Sequence, residues 1–205
     1  MTKRADNVTE TRQRIVEATV RLHSTIGLAD ASIAAIAAEA GVTRLTVYRH
    51  FPDLLPLFEA CNAHWLSERQ TPDPQAWAAI EDPAQRLRAG LADLYRFYRD
   101  SAEMLTWVHR DWLTIPEELR KQLEARDNTW RDVLVAPFAA DGPALHRLRA
   151  VIAHAAAFPT WQSLCQQHGL SNDDAVEVMT ALARAAGQSG EGGARQPTAP
   201  RIASS

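Results

Sequence analysis

Residues 33–51 read Ile33-Ala-Ala-Ile-Ala-Ala-Glu-Ala-Gly-Val-Thr-Arg-Leu-Thr-Val-Tyr-Arg-His-Phe51, a pattern that predicts two short helices joined by a glycine turn. Ser32 offers a hydroxyl N-cap to the first, whose buried side is marked by Ile33, Ile36, Ala37 and Ala40. Gly41-Val42 breaks that helix, because glycine turns the chain without a side-chain clash. Thr43 caps the second helix, which runs to about Phe51 and stops before Pro52. At about 100° per residue, Val47 and Phe51 share one side of it. Leu45, Thr46 and Arg49 point the opposite way, flanked by Arg44, Tyr48 and His50.

Outward from this stretch, Ile15, Ala18, Leu22 and Ile26 recur at spacings of three and four, one face of a preceding helix. Gly27 stands where that helix would take a left-handed cap. A helix is expected from about Asp53 to 68, with Leu54, Phe58, Cys61 and Trp65 on its apolar face and Pro56 tolerated in its first turn. Thr71-Pro-Asp-Pro74 is a break. Helical spacing then covers about 83–100, 102–113, 117–136, 143–168 (kinked at Pro159) and 172–186. Ser171 and Asp174 resemble a capping box for the last of these. No period-two alternation appears, so the expected fold class is all-α.

The 205 residues carry a net charge of −3 and 46% apolar residues, ordinary for a soluble globular protein. Residues 1–51 hold a net +2 and the remainder −5, and all six tryptophans lie at position 65 or beyond. A mildly basic head on an acidic, tryptophan-rich body follows. The expected organisation is a flexible basic arm over 1–8, a three-helix head over 9–51, a helical body over 52–186 and a disordered tail over 187–205. No run reaches the ~18 apolar residues of a membrane span. The opening residues lack the apolar stretch of a secretory leader, and Cys61 and Cys165 have no close partner, so a cytoplasmic chain with reduced thiols is expected.

A helix that anchors one side and presents guanidinium, hydroxyl and methyl groups on the other suits a DNA major groove. Arg44 and Arg49 can read guanine edges or bind phosphate, and Leu45 and Thr46 can touch a thymine methyl. Thr43, Tyr48 and His50 are placed for phosphate oxygens. Ser32, at the head of the preceding helix, completes the expected DNA-binding set. For His50 the alternative is a helix-end residue serving its own carbonyls.

The stretch Ile33–Phe51, with its Tyr-Arg-His-Phe ending, resembles the DNA-binding signature of the tetracycline-repressor (TetR) family. Arg12-Gln-Arg-Ile-Val-Glu-Ala-Thr-Val-Arg-Leu22 is similar to that family's first helix, and the likeness spans about residues 9–66. Phe158-Pro-Thr-Trp-Gln-Ser-Leu164 and Gly169-Leu-Ser-Asn-Asp-Asp-Ala175 look like the last two helices of such regulators, where the dimer forms. The resemblance implies a homodimeric, ligand-responsive regulator, usually a repressor, binding double-stranded operator DNA. It places Arg44, Leu45, Thr46 and Arg49 on bases and Thr43, Tyr48 and His50 on phosphates. Two departures from the pattern matter: Leu54 replaces a frequent phosphate-binding lysine, and Ala34-Ala35 replaces polar residues. Lys3, Arg4, Arg12 and Arg14 could compensate as a basic arm. A helical small-molecule-binding or scaffold protein with weak or lost DNA binding is the rival reading.

In the body, Tyr95, Tyr98, Trp107, His109, Trp112, Trp130, Phe158 and Trp161 form an aromatic set that either lines a pocket for a small, apolar or aromatic effector or only fills the core. The helices at 143–168 and 172–186, with the small residues Ala150, Ala153 and Ala157, are expected to pair with their symmetry mates. No metal-ligand spacing, phosphate loop or nucleophile turn occurs, so neither a metal, a cofactor nor catalysis is expected.

Overall fold

A computed structural model describes residues 2–188, with side chains from 7 to 187. Helix α1 (Thr2–Thr25) leads into α2 (Ile33–Glu39), α3 (Arg44–His50) and α4 (Leu54–Ser67). The body follows with α5 (Pro74–Ala78), α6 (Pro83–Asp100), α7 (Ala102–Arg110), a single 3-10 turn Trp112–Thr114 and α8 (Glu117–Val135). It ends with α9 (Gly142–Ala155), α10 (Phe158–Trp161), a π-type turn Gln162–Gln167 and α11 (Asn172–Gln188). The described residues contain no strand, and none of their helices is long and apolar enough to cross a membrane.

The local signals operate as their chemistry dictates. Ser32 accepts the Ala35 N–H at 3.2 Å, and Thr43 accepts the Thr46 N–H at 3.2 Å. Gly41, at φ 66°, sits in a Schellman turn: the Val42 N–H reaches the Ala37 carbonyl at 2.9 Å and the Gly41 N–H that of Ala38 at 3.2 Å. The hydroxyl of Ser171 caps α11 through the Asp174 N–H at 3.1 Å. That hydroxyl also donates to the Asp174 carboxylate at 2.7 Å, so the box closes side chain to side chain.

Several boundaries differ from expectation. Helix α1 begins at Thr2, so the backbone of 2–8 is helical rather than an arm; the side chains of Lys3 and Arg4 lie outside the described residues. Ile26 falls beyond the end of α1 and is 39% exposed, while Val16 and Thr19 take the buried places instead. The Pro-rich break is followed by the extra short helix α5, capped by the Asp73 carboxylate. The 143–168 segment is interrupted after Ala155 and resumes as α10, with Pro159 in its first turn, because proline there lacks the N–H that Ala155 would need. Gly187 and Gln188 extend α11, and the expected tail from 189 onward lies outside the described residues.

Two main cores and a junction organise the chain. The head core joins Ile15, Ala18, Ile36, Val47 and Phe51 to Leu57 and Cys61 of α4, so head packing continues past Phe51. The body core is built around Leu91, Leu94, Tyr95, Leu134, Leu148 and Ile152, with α6 and α9 both packed on α11. Between them, Leu28, Ile115 and Leu119 form a third cluster against Phe58, Trp107 and Val108.

Candidate functional site

The exposed side of α3 follows from what its other side buries. Val47 is fully buried and Phe51 nearly so, which turns Leu45 (69% exposed) and Tyr48 (52%) to solvent together with Arg44 and Arg49. Burying Val47 and Phe51 contributes on the order of 2–3 kcal/mol each, enough to hold the orientation of a seven-residue helix that would not persist alone. Neither Arg44 nor Arg49 makes an ion pair among the described residues. Thr43 and Thr46 share a hydroxyl contact at 2.9 Å, which spends part of their polar capacity on the cap. Ser32 is exposed and occupied in capping α2. Leu54, the first residue of α4, is half-exposed to solvent.

Arg12 has a different place from a free basic arm. Its guanidinium lies 4.0 Å from the centre of the Phe51 ring and donates to the His50 carbonyl at 3.3 Å, tying α1 to the end of α3. His50 itself is held below its ordinary pKa by partial burial, then by the guanidiniums of Arg12 and Arg49.

The second feature is a cavity of about 480 Å³ at the head–body junction. Helix α4 supplies Phe58, Cys61, Asn62 and Trp65; α6 and α7 supply Phe97, Met104, Val108 and His109; Trp112, Ile115, Leu119 and Leu123 close the far side. Glu124, Arg126, Asp127 and Arg131 of α8 also line it, with Arg126 and Asp127 paired at 2.9 Å. The head adds His23 and Leu28. Burial presses the His23 imidazole down to about 4, against a smaller upward pull from Asp111, so it is neutral at neutral pH. Burial also pushes the Cys61 thiol up to about 12, which removes it as a nucleophile.

Of the eight aromatic and histidine residues expected at a pocket, His109 and Trp112 line this cavity and the other six do not. The hydroxyls of Tyr95 and Tyr98 donate to the carbonyls of Ala155 and Ala156 at 2.8 and 2.7 Å. Those carbonyls are left without helical partners where Pro159 interrupts the chain, so the tyrosines are staples of the core. Phe158 and Trp161 pack against Tyr98 at ring separations of 5.5 and 6.2 Å. The indole of Trp107 donates to the Ser24 carbonyl at 3.0 Å, and Trp130 meets Trp77 edge-on at 6.3 Å. The lining residues Phe58, Cys61 and Trp65 were readable as the apolar face of one helix. His23 and Asn62 carried no sequence signal, since their role depends on which helices meet.

Residues 15–61 match the family model described as bacterial regulatory proteins, tetR family. The HTH-type transcriptional regulator SrpR of Pseudomonas putida is 39% identical over 84 residues, 38% of this chain and 39% of that protein. The uncharacterized HTH-type transcriptional regulator TtgW, also of Pseudomonas putida, is 39% identical over 84 residues, 38% of this chain and 63% of that protein. The HTH-type transcriptional regulator BetI of Serratia proteamaculans is 33% identical over 100 residues, 47% of this chain and 50% of that protein. The chain thus spans between two fifths and two thirds of the length of these relatives. A crystal structure of a TetR transcriptional regulator from a Rhodococcus species aligns over 87% of this chain and 95% of its own at 20% identity, with a TM-score of 0.47.

Proposed function

We propose, from the match of residues 15–61 to the tetR family of bacterial regulatory proteins, that this chain is a ligand-responsive transcriptional repressor acting as a homodimer. The observation that carries the reading is the outward face of α3, where Arg44, Leu45, Tyr48 and Arg49 stand exposed over the buried Val47 and Phe51. That face fits a major groove, with Arg44, Leu45, Thr46 and Arg49 toward bases and Thr43, Tyr48 and His50 toward phosphates. Selection from a random duplex library should enrich a pseudo-palindromic sequence. On that sequence Arg49→Ala should weaken binding by roughly 1–3 kcal/mol in a mobility-shift assay. No enrichment, or an unchanged shift, defeats the reading and favours a helical binding protein without operator recognition.

The dimer is proposed on α9 and α11, which pack on each other while two large apolar side chains of α11 stay exposed. Val178 and Leu182, one turn apart on α11, are 48% and 45% exposed. Pairing two such faces would bury them in a four-helix contact and set two α3 helices on successive grooves, about 34–36 Å apart. Light scattering should report a dimer for the chain and a monomer for Val178→Glu with Leu182→Glu. A wild-type monomer at micromolar concentration removes this part of the proposal.

Effector response is proposed to run through α4. Its Leu57 and Cys61 sit in the head core while Phe58, Asn62 and Trp65 line the cavity, so a ligand that shifts α4 shifts the head. Release of DNA requires that the ligand bind the non-operator conformation more tightly.

A further inference from the structure

The C-terminal end of α3 is electronegative by construction. The Phe51 N–H serves the Val47 carbonyl at 2.8 Å, but Pro52 has no N–H to offer the Tyr48 carbonyl. The last carbonyls of a helix carry partial negative charge, which opposes the approach of a duplex backbone. Helix α4 then follows Asp53 and opens on the uncharged Leu54, so the cations recorded at this end are Arg49 and, from α1, Arg12.

Arg12 comes to this end from outside the helix-turn-helix. Its Nη1 donates to the His50 carbonyl at 3.3 Å, and its guanidinium lies 4.0 Å over the Phe51 ring. That bond leaves the N–H groups on Nε and Nη2 unspent. Among the described residues no carboxylate pairs with Arg12, and the residue stays exposed although it is seated on the ring. His50 lies below its ordinary pKa through partial burial first and then through Arg12 and Arg49, so both charges that act on it are cationic. A guanidinium already fixed by a ring and a carbonyl loses little side-chain freedom when an anion meets it. We propose that Arg12 is a phosphate-binding residue of the operator interface, mounted by α1 on the Phe51 ring and the His50 carbonyl so that it offsets the negative end of α3 and turns its free N–H groups to the duplex backbone. The proposal rests on the operator reading above and adds to it a contact from α1.

Binding is measured by fluorescence anisotropy of the full chain against potassium chloride concentration, on the duplex the chain selects and on a scrambled duplex of equal length. Arg12→Gln retains a donor on a neutral side chain. It should weaken both complexes about tenfold at ~0.1 M salt and lessen the slope of log affinity on log salt by about one per head. The base preferred at each operator position should stay the same, whereas Arg49→Ala should relax one position. Arg12→Lys, which restores the charge, should keep the wild-type slope. A mere brace between α1 and α3 would lower affinity with the slope intact, so that result overturns the proposal. Unchanged affinity in Arg12→Gln, or a lysine variant that behaves like the glutamine one, overturns it too. A wild-type chain that selects no duplex defeats the operator reading and this proposal with it. An unchanged slope on a duplex that the wild-type chain does select defeats this proposal alone.

Discussion

Replacing Asp111 with Ala is expected to lower the stability of the full chain by about 2–4 kcal/mol, read as a shifted urea midpoint with little change in slope. Asp111 closes α7, and its side chain is only 6% exposed. It accepts the Ala29 N–H at 3.0 Å, and Arg110 at 2.6 and 2.9 Å. The Arg110 hydrogen bonds foremost, aided by the Ala29 and Leu28 backbone N–H groups, hold its carboxyl below the usual range. Removing the acceptor strands backbone donors of the loop that joins α1 to α2. Arg110 is 45% exposed and also faces Asp30 at 3.6 Å, so its share of the loss is small. Gly27 lies against the same cluster at φ 91°, where a Cβ would come within 2.8 Å of the Asp111 carboxylate and 2.9 Å of the Trp107 ring. Because Asp111 sits lowered in the folded state, its stabilisation is present above the ordinary carboxylate pKa and fades as pH falls through its folded value. Asp111→Ala should therefore flatten the acid limb of the stability profile. A midpoint equal to wild type would show that the α1–α2 loop does not depend on this carboxylate.

The double variant Tyr95→Phe with Tyr98→Phe is expected to cost about 2–4 kcal/mol, since each substitution leaves a buried carbonyl without a donor. In a continuous helix the Ala155 carbonyl would bond residue 159, and proline has no N–H to give. The Ala156 carbonyl would bond Thr160, whose N–H instead turns to Ala157 at 3.1 Å. The two hydroxyls, three residues apart on α6, supply both missing donors. Thermal unfolding of the double variant, against each single one, measures the effect. The two losses should not add strictly, because both act on one helix break. Full stability in the double variant would mean that water serves these carbonyls equally well.

The two variants also separate what could be read in advance from what could not. The helix-turn-helix was legible because its determinants lie within about twenty residues: two hydroxyl caps, a glycine turn and one apolar side per helix. The outward set on α3 followed from the same periodicity. From sequence Arg12 reads as part of a basic arm, because nothing local shows that α1 carries it to the ring of Phe51. For the tyrosines, apolar spacing identified the face of α6 correctly. The choice between ligand wall and core staple lay with Pro159, some sixty residues away in the chain.

Alone, the order of amino acids decided helix or not helix, the caps, the turn at Gly41 and the sides of α2 and α3, since those depend on neighbours within a few turns. The cavity, the junction at Asp111 and the wall that His23 adds were decided by tertiary packing. Each of these is made of groups brought together from α1, α4, α7 and α8, and no periodicity within one helix records which other helix it will meet.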